Sequence, residues 1–299
     1  AKAIPRLDSL ELIMVELNSL VAGLRPPPLS MEFPQADRGL PTDPNALMRW
    51  IVARIAEVGG VEAMESAELA YLRYQADRLL VSEAWYEIPL GRRNVGIKLI
   101  GVLQYEQRLP LLLQVIADRT SSGWLQRFFG GDFRHGGILR RNAVQHGIRM
   151  LRACDAEARE VLLRALAADP YFEVRSWAAQ ALGEQFAFDD GIERGLFGAL
   201  DDRSPDVVIQ ALAALGKVGR RADLLQRLRL FYLHPNWQFR HGVILALIDL
   251  LRRGVLQPAQ LQDDLDKVLA STPYFKPGFP LNERLRELSD LVRLTPSTP

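Results

Sequence analysis

Three blocks of the chain share one pattern, and their spacing leaves few folds open. In the first, Val161, Leu162, Ala165 and Leu166 form an apolar stripe, Asp169-Pro170 interrupts it, and Val174, Trp177, Ala178, Ala181 and Leu182 form a second stripe ahead of Gly183. Apolar residues at such i, i+3, i+4, i+7 steps lie on one face of a helix. Proline cannot continue a helix but fits a helix start, so the block predicts a helical hairpin with Trp177 in its core and Gly183 as its stop. The second block runs Leu196, Phe197 and Leu200, then Asp201 to Asp206, then Val207, Ala211, Ala214 and Leu215 to Gly216. Here Ser204 is the expected cap, Pro205 the first helical residue, and Asp206 a charge suited to the positive end of the helix dipole. A third block carries Leu224, Leu228 and Phe231, the turn His234-Pro235-Asn236, and Phe239, Val243, Ala246, Leu247 and Leu250. Val174, Val207 and Phe239 stand in register at spacings of about 33 and 32 residues, a period that belongs to stacked helical repeats.

The Asp169-Pro170 turn, the Val174-Arg175 helix opening and the Ala181-Leu182-Gly183 close resemble the HEAT-repeat family, including its PBS-lyase-type members. The resemblance implies an all-α fold, an α-solenoid in which antiparallel helix pairs stack and the second helices line a concave surface. It also implies that an arginine at the place of Arg175 pairs with an acidic residue of a neighbouring repeat. About five helix pairs are expected. The expected organisation is a helical extension with a proline-rich crossing over 1–60, divergent repeats over 61–153, regular repeats over 154–253, and a cap and tail over 254–299.

Outside the regular repeats the pattern loosens. Leu7, Leu10, Leu17, Leu20, Val21 and Leu24 predict an amphipathic helix before Pro26-Pro27-Pro28. Asp43-Pro44 opens another, which Gly59-Gly60 ends. A long helical pattern covers Glu62 to Glu87, Leu109 to Asp118 reads as a first helix, and two more helices fall near Pro258 to Ala270 and Leu281 to Leu294. The triplet Arg92-Arg93-Asn94 returns as Arg140-Arg141-Asn142, and each opens a degenerate second helix. Between them, residues 120–137 hold Trp124, Phe128, Phe129 and Phe133 among glycines and read as a long loop, a kind of segment that tends to carry function. Phe133-Arg134-His135-Gly136 recurs as Phe239-Arg240-His241-Gly242, read at this level as a chance echo.

Several kinds of chemistry lack their residues. The histidines His135, His146, His234 and His241 include no His-Glu pair and no second ligand at i+4, so neither a metal nor any other cofactor is expected. Iron-binding members of the HEAT class carry His-Glu motifs that this chain lacks. There is no Gly-x-Ser-x-Gly elbow and no phosphate-binding Gly-Lys-Ser/Thr loop, so the expectation is a protein without catalytic activity. Cys154 is the single cysteine, which removes an internal disulfide framework and fits a reducing compartment. The start Ala1-Lys2-Ala3-Ile4-Pro5 has no signal-peptide core, and no apolar run reaches the roughly 18 residues of a membrane span. The expected setting is cytoplasmic.

Charge is uneven beneath a formal net of +1. Residues 1–87 hold eight Lys or Arg against thirteen Asp or Glu, residues 88–152 hold eleven against three, and the remainder eighteen against twenty. A basic centre thus lies between acidic flanks. The leading expectation is a scaffold that binds a protein partner on the solenoid's concave surface, with Arg92, Arg93, Trp124, Phe128, Phe129, Arg134, His135, Arg140 and Arg141 as binding residues. The basic centre also fits internal ion pairing that holds the acidic N-terminal segment. Two alternatives come from the resemblance. One is a nucleic-acid-binding protein like the HEAT-like DNA glycosylases, using the centre over 88–152. The other is a bilin lyase or chaperone-like protein, for which no residue motif stands out.

Overall fold

A computed structural model of the chain describes residues 40–80, 88–118, 131–270 and 279–293, and for 131–135 the backbone only. The expected helix at 7–24, the proline-rich crossing before residue 40 and the aromatic residues Trp124, Phe128 and Phe129 lie outside the described residues. Among the described residues every regular element is helical. The α-helices are α1 (Pro44–Val58), α2 (Ser66–Leu80), α3 (Leu90–Val102), α4 (Leu109–Ala117), α5 (Gly131–Asn142), α6 (Ala156–Ala168), α7 (Phe172–Gln185), α8 (Asp190–Gly198), α9 (Pro205–Val218), α10 (Leu224–Arg229), α11 (Trp237–Arg252), α12 (Gln262–Ala270) and α13 (Pro280–Arg293). The chain divides into two compact units, Ala1–Val115 with Thr120–Arg152, and Ile116–Arg119 with Ala153–Pro299.

In the second unit, α6/α7, α8/α9 and α12/α13 form pairs, the short α10 precedes α11, and the second helices stack in order, α7 on α9, α9 on α11 and α11 on α13. In the first unit α2 and α3 form a further pair, and the C-terminal cap, α12 and α13, is itself a helix pair. The helix starts follow local chemistry. Asp155 accepts the N–H of Ala158 at 2.8 Å, and Asp189 accepts those of Gly191 and Ile192 at 2.8 and 3.0 Å. Each replaces a hydrogen bond that the first turn of a helix cannot make within itself. On α7, Val174, Ala178, Ala181 and Leu182 are fully buried, and each large aliphatic side chain so placed contributes about 1.5–3 kcal/mol. α9 has neighbours on several sides, α7, α8 and α11. Val207, Val208, Ala211, Leu212, Ala214 and Leu215 are accordingly all buried.

The structure corrects the sequence at five places. The second triplet, Arg140-Arg141-Asn142, does not open a helix but forms the last turn of α5, because the helix already starts at Gly131. Gly183 does not stop its helix, which runs on to Gln185. A Cβ there would lie 2.6 Å from the Ala214 Cβ and 2.8 Å from its Cα, so the glycine lets α7 and α9 approach. Gly216 does the same inside α9, where a Cβ would sit 2.8 Å from the Ala246 Cα of α11. Ser204 stands at the start of α9 without a side-chain capping bond; Asp202 accepts the Ser204 N–H at 2.8 Å instead. Trp177 is only partly buried, since its indole is too large to be covered between helices this close. Finally, residues 131–137 are helical, the opening turns of α5, so the expected 120–137 loop extends no further than the residues outside the description.

In the first unit, α1 starts on Asp43, whose side chain accepts the Ala46 N–H at 2.8 Å, and ends on Gly59, whose φ of 89° is in the left-handed region that glycine tolerates. Of the long pattern from Glu62 to Glu87, α2 accounts for Ser66–Leu80, and residues 81–87 lie outside the description. The core gathers Leu47, Ile51, Leu72, Ala76, Val95 and Leu99 from α1, α2 and α3. α3 is the pivot, packing against α1, α2, α5 and a π-helical turn, Ala143–Gly147, that continues α5.

Candidate functional site

The two Arg-Arg-Asn triplets meet in the first unit. Asn94 lies in the second turn of α3, and Asn142 is the last residue of α5. The Asn142 Nδ2 donates to Asn94 Oδ1 at 2.8 Å, while Asn142 Oδ1 accepts from Arg141 Nε and Nη2 at 3.2 and 3.1 Å. Asn142 is 2% exposed. A buried amide left without partners costs about 1–3 kcal/mol, so the satisfied one fixes both the register of α3 against α5 and the orientation of the Arg141 guanidinium. One turn farther along, Lys98 on α3 and His146 on the π-turn continue the same register.

The approach of the two elements at that level is very close. A Cβ on Gly101 would stand 1.7 Å from the His146 carbonyl oxygen and 2.8 Å from its carbon. His146 is half-buried, and burial lowers its pKa below the ordinary 6.5; Lys98, Arg141 and Arg149 lower it further by repelling the imidazolium. Both effects favour the neutral imidazole.

The other predicted arginines have different surroundings. Arg92 is exposed, and its Nη2 donates to the Arg78 carbonyl. Together with Arg78 it borders a recess of about 560 Å³ whose apolar wall includes Leu40, Pro41, Leu47 and Leu79. Arg93 is partly buried. Arg140 is 5% exposed and so belongs to the interior rather than to the surface the sequence assigned it. Arg134 and His135 fall within α5, with their side chains outside the description. The motif Phe133-Arg134-His135-Gly136 occupies the third to sixth residues of α5, and Phe239-Arg240-His241-Gly242 the same place in α11. The echo is thus positional as well as literal.

Part of the basic centre is neutralised internally, as the sequence allowed. Arg108 grips Asp77 through Nε and Nη2 at 2.7 and 2.8 Å, and Tyr105 donates to the same carboxylate at 2.9 Å. Arg152 pairs with Glu62, and its Nε donates to Gln104 Oε1 at 2.6 Å. Gln104 itself has a φ of 46°, and Arg73 holds its turn by donating to the carbonyls of Leu103 and Gln104 at 3.1 and 2.8 Å. Lys98, Arg141 and Arg149 are near enough to His146 to act on its titration, and Arg92 lies six residues before Lys98 on α3. Lys98, His146 and Arg149 were missed in the sequence. The signal was a constant offset, since Lys98 follows Asn94 by the same four residues by which His146 follows Asn142.

The second unit shows the inter-repeat pair that the resemblance implied. Arg175 on α7 donates Nε and Nη2 to Asp202 at 2.7 and 2.8 Å and Nη1 to the Asp169 carbonyl at 2.8 Å. In the next repeat Val208 takes the place of Arg175 and His234 that of Asp202, so both halves of the pair change together. His234 keeps the local role, its Nδ1 accepting the Asn236 N–H at 3.1 Å as Asp202 accepts that of Ser204. No group of three or more His, Cys, Asp or Glu that could hold a metal occurs among the described residues, and no described helix is long and apolar enough to cross a membrane.

Residues 159–248 match the family of HEAT repeats. No curated protein matches the chain.

Proposed function

We propose, from the premise that residues 159–248 are HEAT repeats, that this chain is a non-enzymatic interaction module whose first unit takes an acidic segment of a partner protein. HEAT repeats commonly mediate protein interaction or scaffolding, because stacked helices present a long surface of many modest contacts. The observation that carries the finer reading is the Asn94–Asn142 hydrogen bond. It ties the start of α3 to the end of α5, which supports reading Arg92 and Lys98 on α3 and Arg141 on α5 as parts of one surface.

A nucleic-acid partner is the second reading, since the same cations suit phosphates. Two observations favour protein. The formal net charge is only +1, and Arg108 and Arg152 of the basic centre are paired with Asp77 and Glu62. The result is a short cluster, whereas tracking a nucleic-acid backbone takes many phosphate contacts along a groove. The experiment is capture from source-cell lysate by the purified chain and by its Arg92→Glu/Lys98→Glu variant, with and without nuclease, at two salt concentrations. A protein retained after nuclease treatment by the parent and lost by the variant supports the reading. Recovery of nucleic acid with a steep loss in salt, or a protein held equally by both chains, refutes it.

A further inference from the structure

We infer that the recess where α1, α2 and α3 meet takes the free C-terminus of a polypeptide, with an aliphatic last residue on its floor and the α-carboxylate held by Arg78 and Arg92 at its mouth. The inference rests on the protein-partner reading above and names which part of the partner this contact receives. The recess holds about 560 Å³ and is lined wholly by residues of the first unit. Concave sites of this size, apolar with a few convergent polar groups, suit a small ligand or the end of a chain. The floor comes from the buried Leu47 of α1 and the buried Leu79 of α2, and the mouth carries the exposed Arg78 and Arg92. Both arginines are restrained. Arg78 Nη1 donates to the Oε1 of the buried Gln75 at 3.2 Å, and Arg92 Nη2 donates to the Arg78 carbonyl. A guanidinium already fixed by one donor loses less freedom when its other donors take a ligand.

Charge and adjacency decide the ligand. Arg108 and Arg152 of this unit have carboxylate partners in Asp77 and Glu62, whereas Arg78 and Arg92 pair with no carboxylate among the described residues. Each bonds instead to a neutral oxygen, so two positive charges share one recess without a counter-ion. Guanidinium groups match a carboxylate through paired N–H donors. Arg78 and Leu79 are consecutive, and Arg92 is bonded to the Arg78 main chain, so the cationic and apolar parts of the lining lie one residue apart. A ligand must offer its anion and its apolar group just as close together. At a chain terminus the α-carboxylate and the last side chain leave the same carbon. Within an internal acidic segment they belong to different residues, and an extended chain turns neighbours to opposite sides. A free aliphatic acid joins the two groups but offers no amide to the uncharged polar lining, Thr42 and Gln75.

The test titrates the full chain at matched ionic strength with N-acetyl-Gly-Gly-Leu, its C-terminal amide, N-acetyl-Gly-Gly-Gly and octanoate. Binding is followed by NMR at the backbone amides of Thr42, Gln75, Leu79 and Arg92. The expected result is saturable shifts at these residues with the leucine acid, and binding about tenfold weaker for the amide, the glycine acid and octanoate. Arg78→Gln and Arg92→Gln, both at exposed positions, should each weaken binding of the leucine acid about tenfold. Equal binding of leucine acid and amide or of leucine and glycine acids, octanoate as tight as the leucine acid, or undiminished affinity in either folded variant overturns the inference. A partner captured from lysate that binds as before once a glycine-serine tail extends its C-terminus, yet is lost by Arg92→Glu/Lys98→Glu, overturns it while sparing the protein-partner reading. Absence of any nuclease-resistant capture removes that reading and this inference together.

Discussion

One helix offers a graded experiment. α3 contains Gly91, Gly96 and Gly101, and each gains helix propensity on replacement by alanine, about 1 kcal/mol for Gly96 in the interior and less for Gly91 and Gly101 near the ends. The space around them differs. At Gly91 nothing lies within 4 Å of a built Cβ; at Gly96 the nearest atoms are Leu80 Cδ2 and Cγ at 2.5 and 2.6 Å; at Gly101 the nearest is the His146 carbonyl oxygen at 1.7 Å. Gly91→Ala therefore stabilises or is neutral. Gly96→Ala forces the buried Leu80 into another rotamer, at a cost of about 1 kcal/mol after the propensity gain. Gly101→Ala cannot be relieved by a side chain. A Cβ contact must open to at least 3.0 Å, so the π-turn has to retreat by more than 1 Å from α3. Interiors resist such displacement, and overpacking costs about 1–3 kcal/mol, with a backbone obstacle at the upper end. At roughly 2–4 °C per kcal/mol, the melting temperature should fall by about 6–12 °C. Differential scanning calorimetry of the three variants ranks them directly. A Gly101→Ala protein that melts within a degree of Gly91→Ala would show that α3 and the π-turn do not pack as described.

Two further predictions concern the buried polar contacts. A double-mutant cycle on Asn94→Ala and Asn142→Ala, read by chemical denaturation, should give a coupling of about 1 kcal/mol, because each single variant strands the other amide; additivity within error would remove the register argument. At the Arg175–Asp202 pair, burial raises the Asp202 pKa, but hydrogen bonds from Arg175 and the Ser204 N–H and the attraction of Arg175 and Arg203 outweigh it, leaving the carboxyl below its ordinary 3.8. A carboxyl held low when folded contributes stability that is present above the unfolded pKa and is lost as pH falls through the folded one. Stability of the parent should thus drop from pH 4 downward more steeply than that of Asp202→Asn, and identical pH profiles would refute the pair's contribution.

How much of this was legible in the chain varies with the distance over which the cause acts. Helix starts at Pro44 and Pro205 were readable because proline acts within one turn. The role of Gly183 and Gly216 was not, since a local reading sees a helix stop, whereas the residue that needs the glycine is about thirty positions away, at Ala214 or Ala246. Trp177 misled for a related reason: periodicity gives the face of a residue but not the room beneath it. At the candidate site, Arg92 and Arg141 were readable as part of a repeated triplet. Lys98, His146 and Arg149 were hidden, because only the pairing of Asn94 with Asn142 brings an unremarkable lysine and histidine to the same level. Arg140, identical in sequence context to Arg92, is interior, and nothing in a triplet tells the exposed copy from the buried one.

The exchange of Arg175 and Asp202 for Val208 and His234 has a mechanical consequence. Between α7 and α9 the bidentate latch lies near the helix starts. Between α9 and α11 it is absent, and the seam is fastened at the opposite end, where Arg253 donates to the carbonyls of Gly216 and Gly219 at 2.7 and 3.1 Å. The α7/α9 seam is also tied at its far end, where Lys217 Nζ donates to Glu184 Oε1 at 3.3 Å, so it is fastened at both ends while the fastening described for the α9/α11 seam lies at one. Bending this unit should therefore open the α9/α11 seam before the α7/α9 seam, starting at the helix starts where the latch is missing.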